Sequence, residues 1–133
     1  MKKIEHIGIA VSNLEEANKL YSSLLNTKPY KQETVDSEGV VTSFFTCKDT
    51  KIELIQGIGE NNSIAKFISK NGEGIHHIAF EVDDIIYEMK RLKKLGFKVI
   101  NDVPKKGADN KLICFIHPKS TNYVLIELCQ KIK

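Results

Sequence analysis

Two histidines and two glutamates occupy repeated places in the chain. His6 opens the stretch His6-Ile7-Gly8-Ile9-Ala10-Val11, and His77 opens its echo His77-Ile78-Ala79-Phe80-Glu81-Val82. Glu53 stands in Ile52-Glu53-Leu54, answered by Glu127 in Ile126-Glu127-Leu128. Two imidazole nitrogens and two carboxylate oxygens form a mixed set that suits a borderline-to-hard divalent ion in octahedral coordination, with two positions left for water or substrate. No thiolate belongs to the set, which argues against a structural zinc centre. A single His or Glu on a strand is more often an ordinary polar residue, but four in register with an internal repeat point to one shared, pseudo-symmetric site.

The elements that must position these residues follow from periodicity. Side chains alternate across a strand, so His6, Gly8 and Ala10 share one face, and Ile7, Ile9 and Val11 the other. His77, Ala79 and Glu81 likewise oppose Ile78, Phe80 and Val82. The histidine faces carry small residues that leave space, while the aliphatic faces must pack on helices. Apolar residues recur at helical spacing from Leu14 to Leu25, and again over about Asp84 to Leu95. Asn13 and Asp83 or Asp84 provide N-cap oxygens, and Gly96 closes the second helix. Further strands are expected over about Lys28 to Glu33, Val40 to Cys47, Phe97 to Asp102 and Lys111 to His117, with a short helix from Ser63 to Lys70. The reading is a βαβββ unit present twice: module 1 at about 1–57, a connector at about 58–74 and module 2 at about 75–130, together one domain.

Other polar residues have lesser claims. Parity puts His76 with Ile78 and Phe80 on the helix side, as a structural residue. His117 precedes Pro118 and reads as a turn residue. Lys105, Lys106 and Lys111, around Gly107, are candidate contacts for a carboxylate or phosphate. Cys47, Cys114 and Cys129 lie far apart without a CxxC pair, so free thiols in strands are expected rather than a disulfide framework.

Composition narrows the class. The 133 residues carry 20 basic and 17 acidic side chains, a net charge of +3, and Arg91 is the sole arginine. The basic run from Lys90 to Lys111 lacks the aromatic and arginine interleaving of nucleic-acid readers, so a nucleic-acid partner is not expected. The start Met1-Lys2-Lys3-Ile4-Glu5 passes straight into patterned sequence and no long apolar run occurs; a soluble, cytoplasmic protein without membrane association is expected.

On these residues the chain resembles the vicinal oxygen chelate superfamily over essentially its whole length. The stretches His6 to Val11, Ile64 to Phe67, Gly72 to Val82, and His117-Pro-Lys-Ser120 with Val124-Leu-Ile-Glu-Leu128 are similar to methylmalonyl-CoA epimerases. The set His6, Glu53, His77 and Glu127 resembles equally the ligands of bacterial glyoxalase I, the lactoylglutathione lyase. The resemblance implies an α+β fold, with two βαβββ modules forming a curved eight-stranded sheet around the metal site. It implies too that the metal ligands are His6, Glu53, His77 and Glu127, with Glu127 as the catalytic base and Glu53 its counterpart.

Both families remove a proton from a carbon next to a carbonyl. Two departures set the expected activity. Thr42, in Gly39-Val-Val-Thr42, stands where some epimerases carry an acidic residue, and Asn122-Tyr123 stands where the epimerase pattern has Gly-Gly. Tyr123 is expected to share a face with Glu127 and shape the pocket rim. The ligands fit glyoxalase I without exception, so the expected activity is conversion of a hemithioacetal of methylglyoxal and glutathione, or another small thiol, to an S-2-hydroxyacyl thiol. Methylmalonyl-CoA epimerase is the alternative, and a non-enzymatic ligand-binding resistance protein a third reading. Short bacterial glyoxalases imply Ni²⁺ or Co²⁺ as the favoured cofactor, with Zn²⁺ also admissible. A homodimer is expected, each metal site being built within one chain.

Overall fold

The computed structural model describes all residues, Met1–Lys133. They pack as two compact units, residues 6–76, and residues 1–5 together with 77–133. In the first, β1 (Lys3–Ala10) leads to α1 (Leu14–Leu25), β2 (Lys31–Val35), β3 (Val40–Cys47), β4 (Thr50–Gly57) and α2 (Ser63–Asn71). The strands lie in the order β2-β3-β4-β1, with β1 parallel to β4 and the other pairs antiparallel. A parallel pair needs a crossover between its strands. Here α1, β2 and β3 make that crossover, so the first and last strands of the module become neighbours.

The second unit repeats the plan. β5 (Gly74–Glu81) leads to α3 (Ile85–Lys94), β6 (Lys105–Lys106), β7 (Lys111–Ile116) and β8 (Ile126–Lys131), in the order β5-β8-β7-β6, with β5 parallel to β8. The expected α+β class is found: two βαβββ modules, eight strands and three helices.

The duplication extends into the packing. In the first unit Val11, Leu14, Phe45 and Leu54 form a buried cluster joined by Ile9, Ala17 and Tyr21. In the second, Val82, Ile85, Ile116 and Leu128 are buried with Met89, Leu92 and Cys114. The aliphatic strand faces thus lie against α1 and α3, as alternation requires, and the opposite faces are left for His6 and His77.

Helix starts are fixed twice over. The Asn13 side chain accepts from the Glu16 N–H, and that of Asp84 from the Tyr87 N–H, each satisfying an orphan first-turn donor. A second cap comes from the last strand of each module. The Gln56 side-chain oxygen accepts from the Leu14 N–H at 2.6 Å, and that of Gln130 from the Ile85 N–H at 2.8 Å.

Two expected strands are displaced. β2 begins at Lys31, after Pro29, which has no N–H to give to a ladder. Phe97 to Asp102 makes only the single bridge Val99 to Ile116, and the edge strand forms later, at Lys105–Lys106. Between the two, the Asn101 side chain accepts from the Phe115 N–H, taking the place of a backbone carbonyl.

Candidate metal-binding active site

Each unit holds one buried histidine and glutamate pair. Register places Gly8 opposite Glu53, so His6, two residues earlier on β1, reaches the carboxylate diagonally across a residue with no side chain. His6 Nε2 lies 3.4 Å from Glu53 Oε1, and both residues are only 5% exposed. In the second unit Ala79 stands opposite Glu127. His77 Nε2 lies 3.6 Å from Glu127 Oε1, with the residues 2% and 5% exposed. Small residues at positions 8 and 79 make these diagonals open.

A phenyl ring completes each pair. Phe44 on β3 is the register partner of Glu53, and Phe115 on β7 that of Glu127. The His6 and Phe44 rings meet edge to face at 6.1 Å and 84°, those of His77 and Phe115 at 6.2 Å and 90°. The apolar ring restricts the imidazole's rotation and keeps water from that side. Sequence reasoning missed these rings, because finding them requires the strand register; the signal available was one Phe at equivalent places in the third strands of both copies.

Buried charges need partners, and the pairs provide them in a form that fits a divalent ion. With metal–ligand bonds of about 2.1 Å at right angles, neighbouring ligand atoms lie about 3.0 Å apart. The two pairs stand a few tenths of an ångström wider. The set is two imidazoles and two carboxylates, without sulfur.

The neighbouring thiols take no part in such chemistry. Cys47, Cys114 and Cys129 are free, and the last two are buried. Burial first, and then the Glu127 charge, push the Cys114 thiol up to about 12. The Cys129 thiol is raised further for the same reasons, with Glu5 adding to the effect. Both stay protonated and inert as nucleophiles at neutral pH.

The remaining candidates have structural settings. His76 packs its ring edge-on against Phe67 of α2 at 5.0 Å. The His117 Nδ1 accepts from the Lys119 N–H at 3.0 Å and caps a short 3-10 turn. Lys111 is buried and its Nζ contacts both the carbonyl oxygen and a carboxylate oxygen of Asp109, at 3.2 and 3.5 Å. Tyr123 is 83% exposed and precedes the last strand, which begins at Ile126, so the expected sharing of a face with Glu127 does not arise. A cleft of about 430 Å³ beside the start of α1, lined by Ile9, Asn13, Glu16, Tyr21 and Glu73, lies on the helix side of β1. Its carboxylates disfavour an anionic ligand.

Comparison with known proteins places the chain. Residues 5–115 match the model of the Glyoxalase/Bleomycin resistance protein/Dioxygenase superfamily, and the chain belongs to that family. It is 41% identical over 130 residues to an ethylmalonyl-CoA/methylmalonyl-CoA epimerase from Cereibacter sphaeroides, covering 96% of this chain and 97% of that one. The mitochondrial methylmalonyl-CoA epimerase of Dictyostelium discoideum is 40% identical over 130 residues, covering 97% of this chain and 78% of its own. Among solved structures, a Streptomyces coelicolor methylmalonyl-CoA epimerase in complex with 2-nitronate-propionyl-CoA matches with a TM-score of 0.97 and 29% identity, covering 100% of this chain and 99% of that one.

These findings overturn the expected glyoxalase I activity, and with it the lactoylglutathione lyase class and the glutathione hemithioacetal substrate: the relatives are acyl-CoA epimerases. The reason is physical. Both families share the same four ligands, and a shared ligand set does not discriminate between substrates. The departure at Asn122-Tyr123 was also misleading. Both residues have positive φ, 55° and 65°, the left-handed conformation that a Gly-Gly pair adopts without strain. The backbone path is thus one a Gly-Gly pair would take, and the change of side chains says nothing about substrate.

Proposed function

We propose that this protein is a metal-dependent epimerase of a 2-carboxyacyl-CoA thioester, with methylmalonyl-CoA as the substrate. What carries the reading is one buried His–Glu pair in each module of a chain 41% identical to an ethylmalonyl-CoA/methylmalonyl-CoA epimerase. His6, Glu53, His77 and Glu127 would together hold one divalent ion, and their nitrogen and oxygen donors are compatible with Co²⁺ or Ni²⁺. When bound, that ion supplies Lewis-acid stabilisation of negative charge developing on a substrate oxygen.

The chain's own residues do the rest. The C2 hydrogen of the acyl group is flanked by a thioester carbonyl and a carboxylate, and its removal leaves an enolate. Glu127 takes this proton as general base. Glu53, its counterpart in the first module, returns a proton to the other face of C2, which inverts the centre. An epimerase must work from either C2 epimer, and a duplicated carboxylate provides a base for each direction. Phe44 and Phe115 pack against the two imidazoles and hold each pair in place.

A homodimer acting in the cytoplasm, each chain folding as a single domain with its own site, belongs to the same proposal. Sedimentation would test the dimer. The activity is tested by reconstituting metal-free protein with Co²⁺ or Ni²⁺ and supplying one C2 epimer of methylmalonyl-CoA, with the methylglyoxal–glutathione hemithioacetal in parallel. Epimerisation of the CoA ester without conversion of the hemithioacetal is expected. No turnover of the CoA ester with any divalent ion would refute the reading.

A further inference from the structure

The first module carries a buried polar atom that the pairs do not use. Thr42 on β3 is 0% exposed, and its Oγ1 has no hydrogen-bond partner within the protein. Such groups are rare, because a buried hydroxyl without a partner loses its hydration and gains nothing. Register shows which way it faces. Thr42 stands opposite Ile55 on β4 and Glu33 on β2, two residues along β3 from Phe44, which stands opposite Glu53. Thr42 is therefore on the His6 and Glu53 face. Its neighbour Ser43 lies on the other face, where its hydroxyl bonds to Gln32 at 3.3 Å.

The equivalent place in the second module is apolar. Ile113 precedes Phe115 by two residues and stands opposite Cys129, as Thr42 stands opposite Ile55. The hydroxyl thus breaks the duplication at one point beside the site. A substrate whose two acyl oxygen groups differ, one carboxylate and one thioester carbonyl, requires such an asymmetry to bind in a single orientation.

We infer that Thr42 is a positioning residue, its hydroxyl donating a hydrogen bond to an oxygen of the substrate's acyl group on the Glu53 side. This rests on the acyl-CoA reading above. A threonine hydroxyl is far too weak an acid or base at neutral pH to move the C2 proton itself, so its effect falls on binding and orientation. Donation to a carboxylate oxygen would be charge-assisted and among the stronger hydrogen bonds.

The test is Thr42→Val, which keeps the shape and removes the hydroxyl, beside Thr42→Ser, which keeps the hydroxyl. With wild-type epimerase activity established, Thr42→Val should raise KM for methylmalonyl-CoA by about tenfold with a smaller change in kcat, and Thr42→Ser should restore much of the affinity. The free Thr42→Val protein should melt at the same temperature as wild type or higher, because an unpaired buried hydroxyl has been removed. Propionyl-CoA, which lacks the carboxylate, separates the two oxygens when used as a competitive inhibitor. Unchanged inhibition of Thr42→Val assigns the contact to the carboxylate, and weakened inhibition assigns it to the thioester carbonyl. An unchanged KM, or a lower melting temperature, would overturn the inference while leaving the epimerase reading intact. Wild-type protein without epimerase activity would overturn both.

Discussion

His77 holds its Nε2 3.6 Å from Oε1 of Glu127, on parallel neighbouring strands and out of contact with bulk solvent. The adjacent His76 points the other way, its ring against Phe67. The two histidines differ in role because a strand alternates its faces. Replacing His77 with Ala should therefore weaken Co²⁺ or Ni²⁺ binding by two orders of magnitude or more, and replacing His76 should leave it within a few fold. Calorimetric titration of metal-free protein measures both; the opposite ranking would remove His77 from the metal set.

The caps from β4 and β8 make a separate prediction. Gln56 and Gln130 each satisfy the first backbone N–H of a helix from a distant strand. Replacing either with Ala leaves that donor without its partner and should cost about 1 kcal/mol. Urea denaturation would show this as a lower midpoint with an unchanged slope.

At Tyr123 the backbone holds φ at 65°, and the side chain is solvent-exposed. A non-glycine residue in the left-handed region is strained by about 1 kcal/mol. Tyr123→Gly should therefore stabilise the protein by about that amount or somewhat less, because glycine also loses more entropy on folding. A thermal melt showing destabilisation would indicate that the tyrosine ring makes a contact worth more than the strain.

The thiols give a pH prediction. Cys114 titrates near 12 in the folded protein against an ordinary 9.0. A thiol whose value is raised on folding contributes stability that is fully present below the unfolded value and lost as pH rises through the folded one. Resistance to urea should accordingly fall between about pH 9 and pH 12, and less steeply in Cys114→Ala. At neutral pH a thiol reagent should label one cysteine rapidly, the exposed Cys47, and the other two only on unfolding.

Much of this architecture was legible because the chain repeats itself. Helix α1 falls at the residues its periodicity marks, Leu14–Leu25, and parity correctly put His6 and His77 on the face away from the helices. What was not legible depends on distance in sequence. The bonds from Gln56 and Gln130 span 42 and 45 residues, and the rings of Phe44 and Phe115 join the pairs only through strand register. The edge strand pairs at Lys105–Lys106, beyond a stretch where the Asn101 side chain accepts from the Phe115 N–H, a bond across 14 residues that no local pattern announces. Substrate choice escaped for another reason: four ligands common to two chemistries report the kind of step and not the molecule.

Proton exchange at C2 of an acyl-CoA by two glutamates is the central step. Its most direct measurement is proton NMR of methylmalonyl-CoA in D₂O with metal-reconstituted protein. Wild type should exchange the C2 hydrogen for deuterium as it interconverts the C2 epimers. Glu127→Gln should slow exchange by at least about a hundredfold, with one C2 epimer more affected than the other, and Glu53→Gln should show the opposite epimer preference. Retention of the C2 hydrogen by wild type, or undiminished exchange in both variants, would contradict it.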